Sequence, residues 1–515
     1  MKSALIRIFS HPYLLILLAV IIKVPLFFTR HIQEDSFITW RVARNLLDFG
    51  VIGFNGEERI SASTTHLYVL VSAFFQFIFG GNFIYPLLIF SGILFAVGTF
   101  WLAKIFFEND DLKRGFFVLF LNATPPALTA SFLGMEYGLL FFLYCGLIYL
   151  GLQKGKKWAY FLFPVLMLWT RIDSVVFLGI IFLADIVLRK RLNTSFIFGG
   201  LVGLASVILF NYFYFGEFVN HTITAKKLAY RNLLQNSSPE FYLFQWAYYG
   251  GLIKKYSVFT FILWLAFLGF LGWIIFKVVR DKNTASTRAK IILISVVVFA
   301  LAKISVFAFL KAYFDWYYWL PRTFLFVAVL FYLLDYVRLR LRILLLLMII
   351  GSLGLYASQL LQSYAIGYME HGQRMQVAKD ILAVSGGKGG SVLLEPAGII
   401  PFYTRLYTYD EVGLVNKKIT AEMLADENYW WSNSVRKFQP TYILTVGAQA
   451  GNPDTFYRMQ RNDEQNFLKD YKLLRKYRIS KIYEEAPEML RWIYKIRPIG
   501  KDYYLYVRQQ KNKVQ

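Results

Sequence analysis

The chain has 515 residues, is 57% hydrophobic and 19% aromatic, and has a mean hydropathy of +0.46, which excludes a water-soluble globular protein and indicates a polytopic membrane protein. Its formal net charge of +24 is spread over short loops and one terminal region. No nucleic-acid motif accompanies that charge, so the basicity reads as membrane topology, with no nucleic-acid partner. The single cysteine, Cys145, excludes an internal disulfide and a multi-cysteine metal site.

Lys2 and Arg7 precede an apolar run from Tyr13 to Phe28. Bulky and basic residues follow it (Phe27-Phe28-Thr29-Arg30-His31) where a signal peptide would carry a small-residue cleavage site. The run is therefore expected to be an uncleaved first span that enters from the cytosolic side. The outward segment 29–65 opens on Gln33-Glu34-Asp35. Phe37, Trp40, Val42, Ala43, Leu46 and Leu47 then recur at helical spacing and predict a short amphipathic interfacial helix. Its paired carboxylates stand at the positive end of the helix dipole. Position alone leaves two readings open: a capped surface helix, or the base of a membrane enzyme. The segment continues as Asn55-Gly56-Glu57-Glu58-Arg59 and Ser63-Thr64-Thr65-His66.

Apolar runs follow at roughly 66–80, 84–107, 115–133, 137–152, 158–188, 195–215, 256–277, 290–310, 320–337 and 342–361. Most have the length of a helix that crosses a bilayer, and none alternates as a barrel strand does. Basic loops at Arg189-Lys190-Arg191, from Lys277 to Lys290, and at Arg338-Leu339-Arg340-Leu341-Arg342 are assigned to the cytosol. Loops 216–255 and 311–320 then face outward, as do residues from about 362 onward. Lys154-Gly155-Lys156-Lys157 is also cytosolic, which makes 158–188 two short crossings with Thr170-Arg171-Ile172-Asp173 at the outward bend. The two ends require an odd number of crossings, so about eleven spans are expected, with one run between 66 and 133 not crossing fully. Pro125-Pro126 marks a break there.

Residues 1–361 are thus read as a transmembrane domain and 362–515 as a soluble α/β domain on the outer face. In the latter, strand-length runs at Ser391-Val392-Leu393-Leu394, Leu406-Tyr407-Thr408-Tyr409, Thr441 to Thr445 and Tyr503 to Val507 alternate with helical stretches.

Ionisable groups within or beside spans are costly and are paired or functional. Here they are Glu136 in Gly134-Met135-Glu136-Tyr137-Gly138, the pair Arg171 and Asp173, Lys303, Asp315 and Arg322. Lys303, isolated in an apolar run, reads as structural. Lys226 and Lys227 lie in an outward loop, on the wrong side for topology, and so want an anion such as a lipid phosphate. No glycine-rich phosphate loop, zinc pattern or nucleophile elbow is present.

Taken in order, these motifs resemble the GT-C glycosyltransferases, which take sugar from a polyprenyl phosphate. The chain is most similar to their terminal arabinofuranosyltransferase-like branch. The match runs through Glu34-Asp35-Ser36-Phe37-Ile38, Arg41 to Leu46, Asn55 to Arg59, Ser63-Thr64-Thr65, Gly134-Met135-Glu136, Thr170 to Asp173 and Thr222-Ile223-Thr224-Ala225-Lys226. In the terminal domain it takes in Glu395 to Tyr403 and Tyr409 to Leu414. Departures fall at Glu34, Ser61, Thr65 and Ile172, where the family often has Asp, Glu, Asn and Pro.

The helix from Asp35 to Leu47 also resembles its counterpart in the lipid A aminoarabinose transferases, and this puts the catalytic carboxylate at Asp35. The resemblance implies an inverting transferase of the bacterial cytoplasmic membrane with its site on the outer face. It implies that Lys226, Arg171 and Arg322 cradle the donor phosphate. Glu34, Glu58, Arg59, His66, Glu136, Asp173 and Asp315 are further substrate-binding candidates. Glu58 and Glu136 would hold sugar hydroxyls or a divalent metal at the acidic site; no residue set is assigned to a metal, and no other cofactor is implied. Implied partners are a polyprenyl-phosphate-linked pentose or hexose, a cell-envelope glycan, glycolipid or protein as acceptor, and membrane lipids. Trp430 and Trp431 either stack on the acceptor or belong to a core. A transporter or flippase for a lipid-linked glycan would share the spans and charges; it is disfavoured by the lack of a repeat between halves.

Overall fold

A computed structural model describes residues 7–56, 58–230, 239–251, 255–281, 286–312, 314–337, 341–446, 466–467 and 469–509. Lys2, Glu57, Tyr313, residues 282–285 of the basic loop and Arg338-Leu339-Arg340 lie outside them.

Backbone amides in hydrocarbon must pair within their own segment, so the apolar runs fold as helices. The first is α1 (Pro12–Ile21), followed by the amphipathic α2 (Glu34–Phe49). Next come α3 (His66–Phe79), α4 (Ile84–Phe106), α5 (Asp111–Asn122), α6 (Pro125–Phe132) and α7 (Tyr137–Gly146). They continue as α8 (Lys157–Thr170), α9 (Val175–Arg189), α10 (Thr194–Phe210), α11 (His221–Ala229) and α12 (Pro239–Gly250). The last of this part are α13 (Val258–Arg280), α14 (Thr287–Phe309), α15 (Trp319–Tyr336) and α16 (Leu341–Ile366).

Among the described residues, seven helices are long and apolar enough to cross a membrane, or eight if a bent pair forms one span. That pair is α5 and α6, which meet at 70°. The cause is local: Thr124 precedes Pro125 and is driven into the extended conformation, so the helix stops and restarts at the expected break. Length alone therefore gives fewer crossings than the eleven or so expected from sequence. α8 and α9 have 14 and 15 residues, about 21 to 23 Å of helix against a hydrocarbon core of about 30 Å.

The chain continues through a π-helical turn into α17 (Gly372–Ser385) and then a five-stranded sheet. Its strands are β1 (Ser391–Leu394), β2 (Tyr407–Asp410), β3 (Tyr442–Val446), β4 (Tyr471–Tyr477) and β5 (Tyr503–Arg508), in the order β2-β1-β3-β5-β4. β1 pairs in parallel with β2 and β3, and β5 runs antiparallel to β3 and β4. The connections carry α18 (Ile399–Thr404), α19 (Lys417–Ala425), α20 (Trp430–Phe438), α21 (Ile479–Glu485) and α22 (Glu488–Ile496).

Apart from the largely exposed edge strand β4, the sheet buries both faces, as its strands predict by alternation. Leu393, Ile443, Tyr504 and Tyr506 pack with Ile419, Met423, Trp431 and Val435 on one side. Val392, Leu394, Tyr442, Leu444, Tyr503 and Leu505 point to the other, and there they join Ile38, Val42 and Ala43 of α2 and Phe54, Ile60 and Ala62 of the loop behind it. The interfacial helix and the terminal sheet thus share one core. Reading the chain as two parts divided at residue 361 does not capture this; the core binds sequence segments more than three hundred residues apart.

Candidate functional site

The first turn of α2 is fixed from both sides. Gln33 N–H and Ser36 Oγ both donate to Leu133 O, at 2.9 and 3.0 Å. The next residue, Gly134, has φ +89°. A Cβ there would stand 2.8 Å from the Trp40 ring and 2.9 Å from Ser36 Oγ. Only glycine meets both demands, and the turn it makes delivers Met135 and Glu136 alongside Asp35.

Successive residues of a helix are about 100° apart, so the neighbours Glu34 and Asp35 face different partners. Glu34 shares a face with Arg41 and Asn45. Its Oε1 accepts from the Gly398 and Ile399 amides at 2.9 and 2.8 Å, and its Oε2 pairs with Arg374 at 3.0 Å. Arg41 donates to the Phe54, Pro401 and Leu406 carbonyls at 2.9, 2.7 and 2.7 Å. This face clamps α2 to the terminal domain. Asp35 and Thr39 share the other face, which lines a small cavity of about 40 Å3.

Asp35, Thr39, Ser63, Thr65, Glu136, Arg171, Thr222, Lys226, Trp316 and Tyr317 line that cavity, with Leu414 of the terminal domain at its edge. Thr222 and Lys226 stand four residues apart on α11 and so present one face. The Thr65 and Thr222 hydroxyls are buried and have no hydrogen-bond partner among the described residues. They are donors and acceptors free for a polar ligand.

The charges divide into two sets. Arg171 is engaged by Glu136 at 2.6 Å and by both oxygens of Asp173 at 3.0 and 3.1 Å. Lys303 binds Asp173 at 3.0 Å. Two cations and two carboxylates balance, as buried charges must. Lys226 is different. It donates to the Tyr317 hydroxyl at 3.0 Å and lies 4.5 Å from the Phe314 ring centroid. Among the described residues it forms no ion pair and the Asp35 carboxylate accepts no hydrogen bond. Burial pushes the Asp35 carboxyl up from its ordinary value; Lys226 opposes this, and Glu34 and Glu136 reinforce it. A buried base facing an uncommitted ammonium can take a proton from a hydroxyl and hold an anion beside it.

Asp35, Arg171, Lys226, Glu136 and Asp173 thus come together, and the other candidates do not. Arg322 pairs with Asp315 at 2.7 Å and lines a separate, apolar cavity with Trp264, Phe267 and Leu325. It lies apart from Arg171 and Lys226, because the short helical turn Asp315–Tyr318 turns Trp316 and Tyr317 toward one cavity and Asp315 toward Arg322. Glu58 accepts from the Tyr407 hydroxyl and faces Lys418 at 3.6 Å. Arg59 lies over Tyr214. His66 binds Asn211 at 2.8 Å among Trp169, Phe210 and Phe215. None of these three lines the cavity; from the segment Glu58 to His66 it is Ala62, Ser63, Thr64 and Thr65 that do. Trp431 is core, with its indole N–H on Glu411 at 2.8 Å. Among the described residues, no group of three or more His, Cys, Asp or Glu side chains is placed to hold a metal ion.

Sequence reasoning set Lys303 aside as structural and named no hydroxyl. The signal for the hydroxyls was the helical spacing of Thr39 from Asp35 and of Thr222 from Lys226. For Lys303 the signal was that a lone buried cation demands a partner.

A family model described as a domain of unknown function (DUF8728) matches residues 363–506. No curated protein matches the chain.

Proposed function

We propose that the protein is an integral-membrane glycosyltransferase of the GT-C type. It takes a pentose such as arabinofuranose, or a hexose, from a polyprenyl phosphate and gives it to a hydroxyl of a cell-envelope glycan, glycolipid or protein. The site and terminal domain lie on the outer face of a bacterial cytoplasmic membrane. One observation carries the reading: Asp35, Glu136, Arg171 and Lys226, from four separate stretches of chain, line one cavity.

In this reading the acceptor hydroxyl attacks the anomeric carbon while Asp35 takes its proton. A new carbon–oxygen bond forms on one face of the sugar. The bond to the phosphate oxygen breaks on the other, with inversion, and its electron pair leaves on the lipid phosphate. That phosphate needs positive charge and no general acid. Lys226, free of carboxylates, supplies the charge. Arg171 offers a pre-set guanidinium whose own charge is already balanced. Thr65 and Thr222 hydrogen-bond sugar or phosphate oxygens.

The test uses membranes supplied with radiolabelled polyprenyl-phosphate pentose or hexose. Asp35→Asn, which keeps the shape and removes the base, is expected to lower transfer about 10²- to 10⁴-fold. Transfer at the wild-type rate in that variant overturns the assignment.

A further inference from the structure

The helix α22 near the end of the chain carries an apolar stripe that the fold leaves uncovered. Leu490 and Tyr494 pack into a small core with Ala365 and Met369, at the end of α16 and just beyond it. The Tyr494 hydroxyl donates to Ala365 O at 3.1 Å. On the neighbouring face Met489, Trp492 and Ile496 are 48%, 63% and 65% exposed. Their spacing of three, four and seven residues makes them one continuous strip. Arg491 and Lys495, also exposed, run along its far side, and exposed Arg497 follows the helix.

The position of α22 says what the strip meets. α16 has 26 residues, about 39 Å of helix, and about 30 Å suffices for the hydrocarbon core. Its flank is apolar and open, with Leu346, Leu347, Ile350 and Leu353 all more than half exposed. The helix runs on from Ile343 to Ser385, and Ala365 stands about 33 Å along it, beyond the length that crosses the hydrocarbon core.

We propose that α22 is an interfacial anchor. It lies in the headgroup layer at the end of α16, with Met489, Trp492 and Ile496 among the acyl chains and Arg491, Lys495 and Arg497 on anionic headgroups. The anchor holds the terminal sheet down against the membrane surface. It is independent of any transferase activity.

The test is the depth of spin labels on the full-length protein. The protein is reconstituted into vesicles of phosphatidylcholine with phosphatidylglycerol, in a Cys145→Ala background. Labels at Trp492→Cys and Ile496→Cys are compared with Leu347→Cys on α16 and Lys388→Cys on the far side of the domain. The expected result is a ratio of oxygen to nickel-chelate accessibility several-fold above that of Lys388→Cys and near that of Leu347→Cys. Removing phosphatidylglycerol is expected to lower it. Water-like accessibility at both positions overturns the anchor. So does shielding from both reagents, or spin–spin broadening, either of which would mean that protein covers the strip. A ratio indifferent to phosphatidylglycerol overturns the headgroup contacts of the three basic residues.

Discussion

Two adjacent carboxylates illustrate how one residue of helix rotation decides a role. Glu34 is spent on two amides and Arg374, whereas Asp35 is left to the cavity. Lys226 is the foremost influence favouring its ionised form against burial. Replacing Lys226 with Gln should therefore raise the Asp35 carboxyl further, and the acid limb of the pH–rate profile should move to higher pH. A profile that keeps its acid limb while the donor KM rises would leave Lys226 a phosphate ligand with no influence on the base. The identity of the charged cluster was legible in the sequence, because ionisable groups in apolar surroundings are few and must be paired. The pairing pattern was not. Spacing could place Arg171 beside Asp173, but Glu136 and Lys303 reach them only through helix packing.

Among elements, the Gly134 turn and the Asp410 turn do opposite things. Gly134 lets the turn before α7 lie against Ser36 and Trp40 of α2 by lacking a side chain. Gly134→Ala combines a left-handed backbone with a Cβ that meets Trp40 and Ser36, and should cost about 1 to 3 kcal/mol in detergent-solubilised protein. Its thermal midpoint should fall clearly below that of a Gly→Ala change at the open position Gly269, where no atom stands within 4 Å.

Asp410 instead holds its turn through the Leu414 and Val415 amides at 2.7 and 2.9 Å, and so sets Leu414 at the cavity edge. Burial pushes its carboxyl from 3.8 up to about 7. A raised acid binds its proton more tightly in the folded state, so its stabilisation is present below about 4 and is lost as pH rises through about 7. The thermal midpoint should decline across that interval and decline less in Asp410→Asn; equal slopes would contradict the assignment. The helices themselves were plain from their apolar runs, and the α5–α6 break from Pro125-Pro126. The crossing count was not, since an apolar run reports transfer energy and not the length that survives as straight helix.

At the scale of the whole molecule, the core shared by α2 and the terminal sheet is the dominant fact. Truncation after Gly372 should leave the spans inserted but uncover Ile38, Val42, Phe54 and Ile60. Limited proteolysis should then cut between residues 34 and 62, which the full chain protects; persisting resistance would show that the segment folds without the sheet. The same core acts during biogenesis. Its two halves sit on one side of the membrane, so the chain between residue 66 and residue 366 must cross an even number of times. A nascent chain that misses one crossing delivers the sheet to the opposite compartment from α2. The helix bearing Asp35 is then never seated against the sheet, and a mis-threaded copy is open to proteolysis. Completion of the last strand, hundreds of residues after Asp35 leaves the ribosome, is the step that rejects any copy with an odd number of crossings between them.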